Sequence, residues 1–209
     1  MKLVGNEPSF APWKTVALET FAAQVLANLS QGFSVIAIDG RSAGGKTTLA
    51  DKLAAALPSA SVVHTDDIAW HHSMFDWTKL ALEHVLIPFK AGKGVSYTPT
   101  AWLKRERKGS IEVPKTCRIL ILEGAGSAQL ELMNMLDYIV WVQSDFVRAE
   151  TRGIARDGGD EEAINFWHHW MDAELTFQAK QKPWERADVV VCGTPAQDIS
   201  ELDLLVTEV

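Results

Sequence analysis

The chain has 209 residues, a formal net charge of −7, 47% hydrophobic residues and 22% charged residues. This balance is typical of a soluble globular protein, and the acidic charge argues against nucleic acid as a main partner. No apolar stretch reaches the roughly 18 residues of a membrane span, and the N-terminus lacks a signal-peptide core. The two cysteines indicate neither a disulfide framework nor a zinc site. We therefore expect a cytoplasmic protein without a membrane partner, formed as one domain over residues 1–209.

Helical and strand patterns alternate in the first third of the chain. Residues 1–12 contain two prolines and resemble a loose lead-in, and residues 13–28 carry apolar side chains at helical spacing. The apolar run "FSVIAID" predicts a buried parallel strand, and "KTTLADKLAAALP" predicts a helix that Pro58 ends. The segment "SVVHTDD" then predicts a second short strand that ends in two carboxylates.

The rest of the chain continues this alternation. "DWTKLALEHVLIPFKAGK" predicts a helix that ends at Pro88, and "CRILILEGAG" predicts a strand followed by a glycine turn. "LDYIVWVQ" and "ADVVVCG" predict two further strands, separated by a helix that Ser144 caps and by a long helix over about residues 161–180. The pattern predicts a three-layer α/β/α fold with a mostly parallel sheet of about five strands and a small lid near residues 150–160.

The stretch "GRSAGGKT" follows the first predicted strand and matches the pattern G-x-x-x-x-G-K-[ST]. Chance would produce this pattern in roughly one chain per hundred of this length. Because a strand precedes it and a helix follows, we interpret it as the phosphate cradle of a P-loop NTPase fold that binds ATP. Lys46 is expected to reach the β- and γ-phosphates, and the Thr47 hydroxyl to ligate Mg²⁺. The cradle comprises Gly40, Arg41, Ser42, Ala43, Gly44, Gly45, Lys46, Thr47 and Thr48.

Other residues indicate which kind of P-loop protein this is. The N-K-x-D tetrapeptide of GTPases and the L-S-G-G-Q-like signature of transporter ATPases are both absent. A kinase needs carboxylates near the acceptor and near Mg²⁺, and mobile arginines over the transferring phosphoryl group. Asp66 and Asp67 end one predicted strand and Glu123 ends another. Three arginines lie along one face of the helix after "LDYIVWVQ", namely Arg148, Arg152 and Arg156. We expect Arg148 to be structural.

The chain resembles the uridine kinase-like family of P-loop kinases over about residues 33–193. The resemblance is carried by "GRSAGGKTT", "HTDDIAW", "LILEGAG", "RGIARD" and "KPWERADVVV", which occur in the family's order. It implies transfer of the ATP γ-phosphoryl group to a hydroxyl of a small molecule. Asp66 matches the aspartate that takes the hydroxyl proton, and Glu123 matches the acidic residue near Mg²⁺. Arg152 and Arg156 match the lid arginines, and the implied metal ligands are Thr47, Asp66 and Glu123.

The same resemblance suggests an acceptor site but not its substrate. Asp76 and Tyr97 match acceptor positions, and Asp66 is expected to face the acceptor with them. Thr98 replaces an aspartate of the family, and Trp102 stands where uridine kinases have a histidine. We therefore expect uridine and cytidine to be poor acceptors and the true acceptor to lie among Asp66, Asp76, Tyr97 and Trp102.

Three interpretations of function remain open at this stage. The leading one is an ATP- and Mg²⁺-dependent kinase of a small hydroxyl compound. A sugar, vitamin or nucleoside-monophosphate kinase on the same scaffold is an alternative, as is a regulatory protein that binds ATP without a dedicated acceptor. The residues leave open the acceptor, a homo-oligomeric state, the preference for ATP over GTP, and the choice between Asp66 and Asp67 as the catalytic carboxylate.

Overall fold

A computed structural model describes the whole chain, residues 1–209. Seven strands form the main sheet in the order β1-β9-β8-β7-β2-β6-β3, and β4 and β5 form a separate hairpin-like pair. The strands are β1 (Lys14–Ala17), β2 (Ser34–Gly40), β3 (Ala60–His64), β4 (Val95–Tyr97), β5 (Ile111–Val113), β6 (Ile119–Glu123), β7 (Tyr138–Gln143), β8 (Val189–Cys192) and β9 (Asp203–Thr207).

The centre of the main sheet is parallel. Strands β3, β6, β2, β7 and β8 pair side by side in parallel, and these are the strands predicted from the sequence. Strand β9 runs antiparallel to both β8 and β1 and extends the sheet at one edge. These two outer strands were not predicted, and residues 14–17 were wrongly assigned to a helix. The β-branched residues Thr15 and Val16 favour an extended backbone where β9 offers a partner strand.

Helices cover both faces of the sheet and bury its alternating side chains. The helices are α1 (Leu18–Asn28), α2 (Lys46–Ala56), α3 (Thr65–Ala69), α4 (Thr78–Ala81), α5 (Ile87–Lys90), α6 (Thr100–Lys104), α7 (Phe146–Arg156) and α8 (Glu161–Gln181). On β2, Ile36 and Ile38 pack with α1 and α2, whereas Val35 packs on the opposite face with α4 and α5. The chain therefore has the predicted three-layer α/β/α arrangement. None of its helices is both long enough and apolar enough to cross a membrane.

Local differences from the sequence predictions have simple causes. The helix expected to end at Pro88 continues to Lys90, because a π-helical turn over Leu82–Leu86 joins α4 to α5 directly before the proline. A wider turn at this point accommodates a residue that has no N–H to donate. The cap of α7 is Asp145, whose side chain accepts the Arg148 N–H, and not Ser144.

The N-terminal segment is bonded to the sheet and is not a loose lead-in. Gln143, at the end of β7, accepts the Phe10 backbone N–H and donates to the side chain of Glu7. The backbone N–H of Lys2 donates to Asp145 at the start of α7. Residues 2–10 therefore pack beside the end of β7, the strand next to β2, which leads into the phosphate loop.

Candidate active site

The loop between β2 and α2 has the backbone shape of a phosphate cradle. Ala43 and Gly45 have φ values of 55° and 102°, which lie in the left-handed region. A Cβ on Gly44 would come within 2.8 Å of the Arg41 carbonyl oxygen, so the loop closes on itself too tightly for a side chain there. The buried Lys46 ammonium donates to the same carbonyl at 2.8 Å and holds the loop closed.

The residues present suit a nucleotide phosphate. Helix α2 begins at Lys46 and runs for 11 residues, so its first backbone N–H groups and its dipole end lie at the loop. The Lys46 side chain adds a positive charge at the same position. Backbone N–H groups, a helix N-terminus and one lysine are the donors that P-loops use for phosphate oxygens.

A second group of side chains lies where β3 and β6 end beside this loop. Glu123 accepts the Thr47 hydroxyl at 3.3 Å with one oxygen, and its other oxygen is 2.6 Å from His64 Nδ1. Burial raises the pKa of Glu123, but the His64 hydrogen bond and the Lys46 charge outweigh it and hold that pKa below its usual value. The same hydrogen bond raises the pKa of His64. Glu123 is therefore an anion next to a hydroxyl, which is an oxygen pair suited to Mg²⁺.

The cradle opens into a cleft of about 1130 Å³, and the predicted catalytic residues line this cleft. Lys46, Thr47, Asp66, Glu123, Arg152 and Arg156 all line it. Neither the walls of this cleft nor the rest of the chain contain a cluster of three or more His, Cys, Asp or Glu that could by itself enclose a metal. Mg²⁺ in nucleotide sites is usually held by one or two protein oxygens together with phosphates and water, so such a cluster is not required.

The two neighbouring aspartates of α3 have different surroundings. Asp66 is exposed and lines the cleft. Asp67 does not line it, and its carboxylate pairs with Arg107 at 2.6 Å on the other side of the short helix. The geometry therefore favours Asp66 over Asp67 as the carboxylate that faces a substrate.

The two lid arginines reach the cleft from α7. Arg152 donates to the Gly193 carbonyl at 3.4 Å, and Arg156 pairs with Asp157 at 2.8 Å in the turn between α7 and α8. The hydrogen bond that Arg156 donates to Asp157 raises the pKa of Arg156, with a smaller contribution from the charge of Asp66. Arg148 donates to the Thr194 and Pro195 carbonyls, in agreement with the structural role expected for it.

Three predicted acceptor residues do not lie with Asp66 in this cleft. Asp76 is exposed outside it, and Tyr97 stacks on His84 beside a separate cavity of about 130 Å³. Trp102 is only 4% exposed, because its indole N–H donates to the Asp67 carbonyl and the Arg107 guanidinium covers its ring. The structure therefore does not bring these three residues together with Asp66, and their acceptor roles stay a prediction from the resemblance.

The cleft has an aromatic wall that the sequence prediction did not identify. The aromatic wall is formed by two segments that line the cleft, residues 69–74 at the end of α3 and residues 166–170 of α8. Its members are Ala69, Trp70, His71, His72, Ser73, Met74, Phe166, Trp167 and Trp170. The α8 residues are not among the acceptor residues expected from the sequence. The spacing of Phe166 and Trp170, one turn apart on one helix, was the available signal.

A buried charge network connects the phosphate loop to distant parts of the chain. The Arg41 side chain points away from the cleft and pairs with Glu7 at 2.8 Å, and a second carboxylate, Glu174 of α8, lies 3.9 Å from it. Glu174 also accepts the Ser42 N–H at 3.0 Å and the Ser42 hydroxyl at 2.7 Å. Arg41 therefore contributes to the cradle through its backbone, and its side chain anchors the loop.

Comparisons with known proteins support the fold. No family model and no curated protein sequence matches the chain. Among solved structures, a candidate fructose transport system kinase from Silicibacter sp. TM1040 is 21% identical, with a TM-score of 0.58 over 82% of this chain and 95% of the other. A candidate uridine kinase from Bacillus stearothermophilus is 20% identical, with a TM-score of 0.58 over 83% of this chain and 96% of the other. The chain thus has the P-loop fold that these two kinase-like structures share.

Proposed function

We propose that this protein is an ATP-dependent kinase that transfers the γ-phosphoryl group to a hydroxyl of a small molecule. This proposal rests on six side chains that line one cleft, namely Lys46, Thr47, Asp66, Glu123, Arg152 and Arg156. They supply a phosphate cradle, oxygen ligands for a metal, a free carboxylate and two cations. These are the parts that phosphoryl transfer requires.

The cradle side binds and orients the nucleotide. Lys46 and the N-terminus of α2 hold the phosphates, and Thr47 and Glu123 present their oxygens to the metal. Mg²⁺ bound with ATP would neutralise charge on the β- and γ-phosphates. Asp66 lines the same cleft and completes the proposed ligand set, directly or through water.

The acceptor side completes the chemistry. In this proposal the Asp66 carboxylate accepts the proton of the attacking hydroxyl, and the hydroxyl oxygen forms the new bond to the γ-phosphorus as the bond to the β–γ bridging oxygen breaks. Arg152 and Arg156 stabilise the charge that spreads over the transferred group. Arg156 is paired with Asp157, so it exchanges that carboxylate for phosphate oxygens when the nucleotide binds.

The experiment is an assay of ADP release with ATP and Mg²⁺ across a panel of nucleosides, sugars and pantothenate-like alcohols. We expect one class of hydroxyl compound to raise ADP release well above the rate without acceptor. Slow ATP hydrolysis that no compound stimulates would instead favour a regulatory ATP-binding protein and contradict the proposal.

A further inference from the structure

The aromatic wall has a chemical character that the proposed phosphoryl transfer does not explain. Its members carry no lysine, arginine, aspartate or glutamate. Phe166 is 52% exposed although it is a large apolar side chain, and it faces the same cleft as the half-buried rings of Trp70 and Trp170. Exposed aromatic rings in a cleft next to a reactive carboxylate indicate a binding surface for an apolar or planar ligand group.

Trp170 is held in one orientation by its neighbours. Its indole N–H donates to the Ser42 hydroxyl at 2.6 Å and to Glu174 at 3.0 Å. Phe75 packs against its ring at 5.6 Å between centroids, and Phe75 is itself stacked on Phe177 at 4.0 Å. The Trp170 ring is therefore fixed before a ligand arrives, so binding to it costs little side-chain entropy.

Trp70 provides a ring from the other segment of the wall. The His71 ring packs edge-on against it at 4.5 Å, and the Arg107 guanidinium lies 5.1 Å from its centre. Trp70 comes four residues after Asp66 in the chain, so the proposed base and this ring are carried by the same short helix and its C-terminal end. A substrate hydroxyl at Asp66 therefore places the rest of the molecule beside the aromatic wall.

The charges of the cleft limit the kind of acceptor. Its cationic side chains are Lys46, Lys52, Arg152 and Arg156, and each already has a protein partner. Three of them are assigned to the phosphates of ATP, and Lys52 donates to the carbonyl of Glu201. None of the four belongs to the aromatic wall, and the Arg107 guanidinium beside Trp70 is already paired with Asp67. An acceptor carboxylate or phosphate at the wall would therefore have no unpaired lysine or arginine as its counter-charge.

From this arrangement we infer that the acceptor is an uncharged hydroxyl compound with a planar ring, and that Trp170 and Trp70 determine this specificity. The ring lies against the Trp170 and Trp70 side chains while its hydroxyl reaches Asp66. This inference rests on the proposed kinase function. It replaces Asp76, Tyr97 and Trp102 by the residues that the structure brings to the cleft.

The test compares three classes of acceptor in the ADP-release assay. Neutral alcohols with a planar ring (purine nucleosides and hydroxymethylpyridines) are matched with neutral alcohols without a planar ring (ribose and fructose) and with anionic alcohols (shikimate and nucleoside monophosphates). We expect a neutral planar-ring alcohol to be the best acceptor, with kcat/KM at least about 100-fold above that of ribose or fructose. A sugar without a planar ring or an anionic compound as the best acceptor would overturn this inference and leave the kinase function intact. Absence of stimulation by every class would overturn both.

Variants of the two tryptophans separate stacking from a purely structural role. We expect Trp170→Ala to raise KM for the ring alcohol about tenfold or more with little change in kcat. Trp170→Phe, which keeps a ring but loses the N–H bonds to Ser42 and Glu174, should recover most of that loss. Equal impairment of the two variants would show that Trp170 only holds the phosphate loop, and would overturn its specificity role.

Trp70→Ala provides an independent check, because this ring has no bond to the phosphate loop. We expect it to raise KM for the ring alcohol in the same direction and to leave the affinity for ADP, measured by calorimetry, within about twofold of wild type. An unchanged KM in Trp70→Ala, or an equal rise for acceptors with and without a planar ring, would contradict the stacking role.

Discussion

In the proposed function, Lys46 is the residue on which nucleotide binding depends most directly. It is buried, begins α2 and holds the Arg41 carbonyl across the phosphate loop. We expect Lys46→Ala to abolish turnover and to weaken ATP binding at least about tenfold, because the charge opposite the β- and γ-phosphates is lost. Calorimetry with a non-hydrolysable ATP analogue measures the binding. Lys79→Ala, which removes an exposed lysine that contacts only Glu83 at 3.8 Å, is the matched control. Full turnover in Lys46→Ala would contradict the cradle assignment.

Asp66 and Asp67 form a natural pair for testing the proposed base. Only Asp66 lines the cleft, whereas Asp67 pairs with Arg107. We expect Asp66→Asn to lower kcat by about two decades or more with nearly normal ATP binding, because the variant cannot accept the hydroxyl proton. Asp67→Asn should retain most of the activity. If Asp67→Asn lost the activity and Asp66→Asn kept it, Asp66 would not be the base.

At the residue level, the sequence was informative where a motif has a strict spacing. The lysine and threonine of the cradle, and Glu123 at the end of β6, could all be located from motif and strand position, whereas Asp66 and Asp67 lie in the short helix α3 and not at the end of a strand. The hydrogen bond between His64 and Glu123 could not, because it joins residues 59 positions apart whose meeting depends on the pairing of β3 with β6. The family resemblance identified Trp102 by position, but not that Arg107 would cover its ring.

Among the elements, the N-terminal segment has an unexpected structural role. Glu7 is 7% exposed and accepts hydrogen bonds from the side chains of Arg41, Trp141 and Gln143. We expect Glu7→Ala to lower the free energy of unfolding by about 3 kcal/mol, because it leaves the buried Arg41 guanidinium without its closest counter-charge. Urea unfolding followed by circular dichroism measures this loss.

A surface glutamate provides the control for that measurement. Glu83 is half-exposed and takes part only in the ion pair with Lys79, so Glu83→Ala should change the free energy of unfolding by less than about 0.5 kcal/mol. A Glu7→Ala variant as stable as Glu83→Ala would show that residues 2–10 are not part of the stable fold.

The element boundaries predicted from the sequence agree best with the structure where a helix or strand is buried on one side. The long helix expected over about residues 161–180 is α8 (Glu161–Gln181). Residues 14–17 were missed because their apolar side chains fit a helix, whereas the strand β1 depends on β9, which lies almost at the other end of the chain. Short segments with a distant partner carry too little local information to be assigned.

The stability of the whole molecule should depend on the protonation of Asp39. This residue is 1% exposed at the end of β2 and accepts backbone N–H groups from Gly40, Gly126 and Ala128, which joins the phosphate loop to the loop after β6. Burial raises the pKa of Asp39 from 3.8 to about 6, although those hydrogen bonds oppose the rise. The folded protein therefore binds a proton more tightly than the unfolded chain, and this contribution to stability is lost as the pH rises from about 4 through 6.

The prediction is a pH-dependent difference between wild type and Asp39→Asn. As the pH rises from 4 to 7, the free energy of unfolding of wild type minus that of the variant should fall by about 3 kcal/mol. Taking the difference removes contributions from other groups such as Glu123, whose lowered pKa acts in the opposite direction. Urea titrations at four pH values measure it. A difference that stays constant or rises with pH would contradict the raised pKa of Asp39.

For the molecule as a whole, the parallel core and the position of the phosphate loop could be predicted from the sequence, whereas the aromatic wall of the cleft could not. The alternation of apolar strands and helices is a local pattern, and the loop motif lies within it. The aromatic wall combines a segment after α3 with α8, which are separated by almost a hundred residues, so only the folded arrangement brings them together. This is why the sequence indicated a kinase fold but not the aromatic residues that line the cleft.

In the proposed reaction, the γ-phosphoryl group of ATP moves to a small hydroxyl compound in the cleft. The most direct measurement of this transfer uses ATP labelled in its γ-phosphate, a mixture of the three acceptor classes, and separation of the products by chromatography. We expect label in a phosphorylated small molecule with the wild-type protein, and at least about 100-fold less with Asp66→Asn. Label found only in inorganic phosphate, at a rate that no compound in the mixture changes, would rule out this phosphoryl transfer.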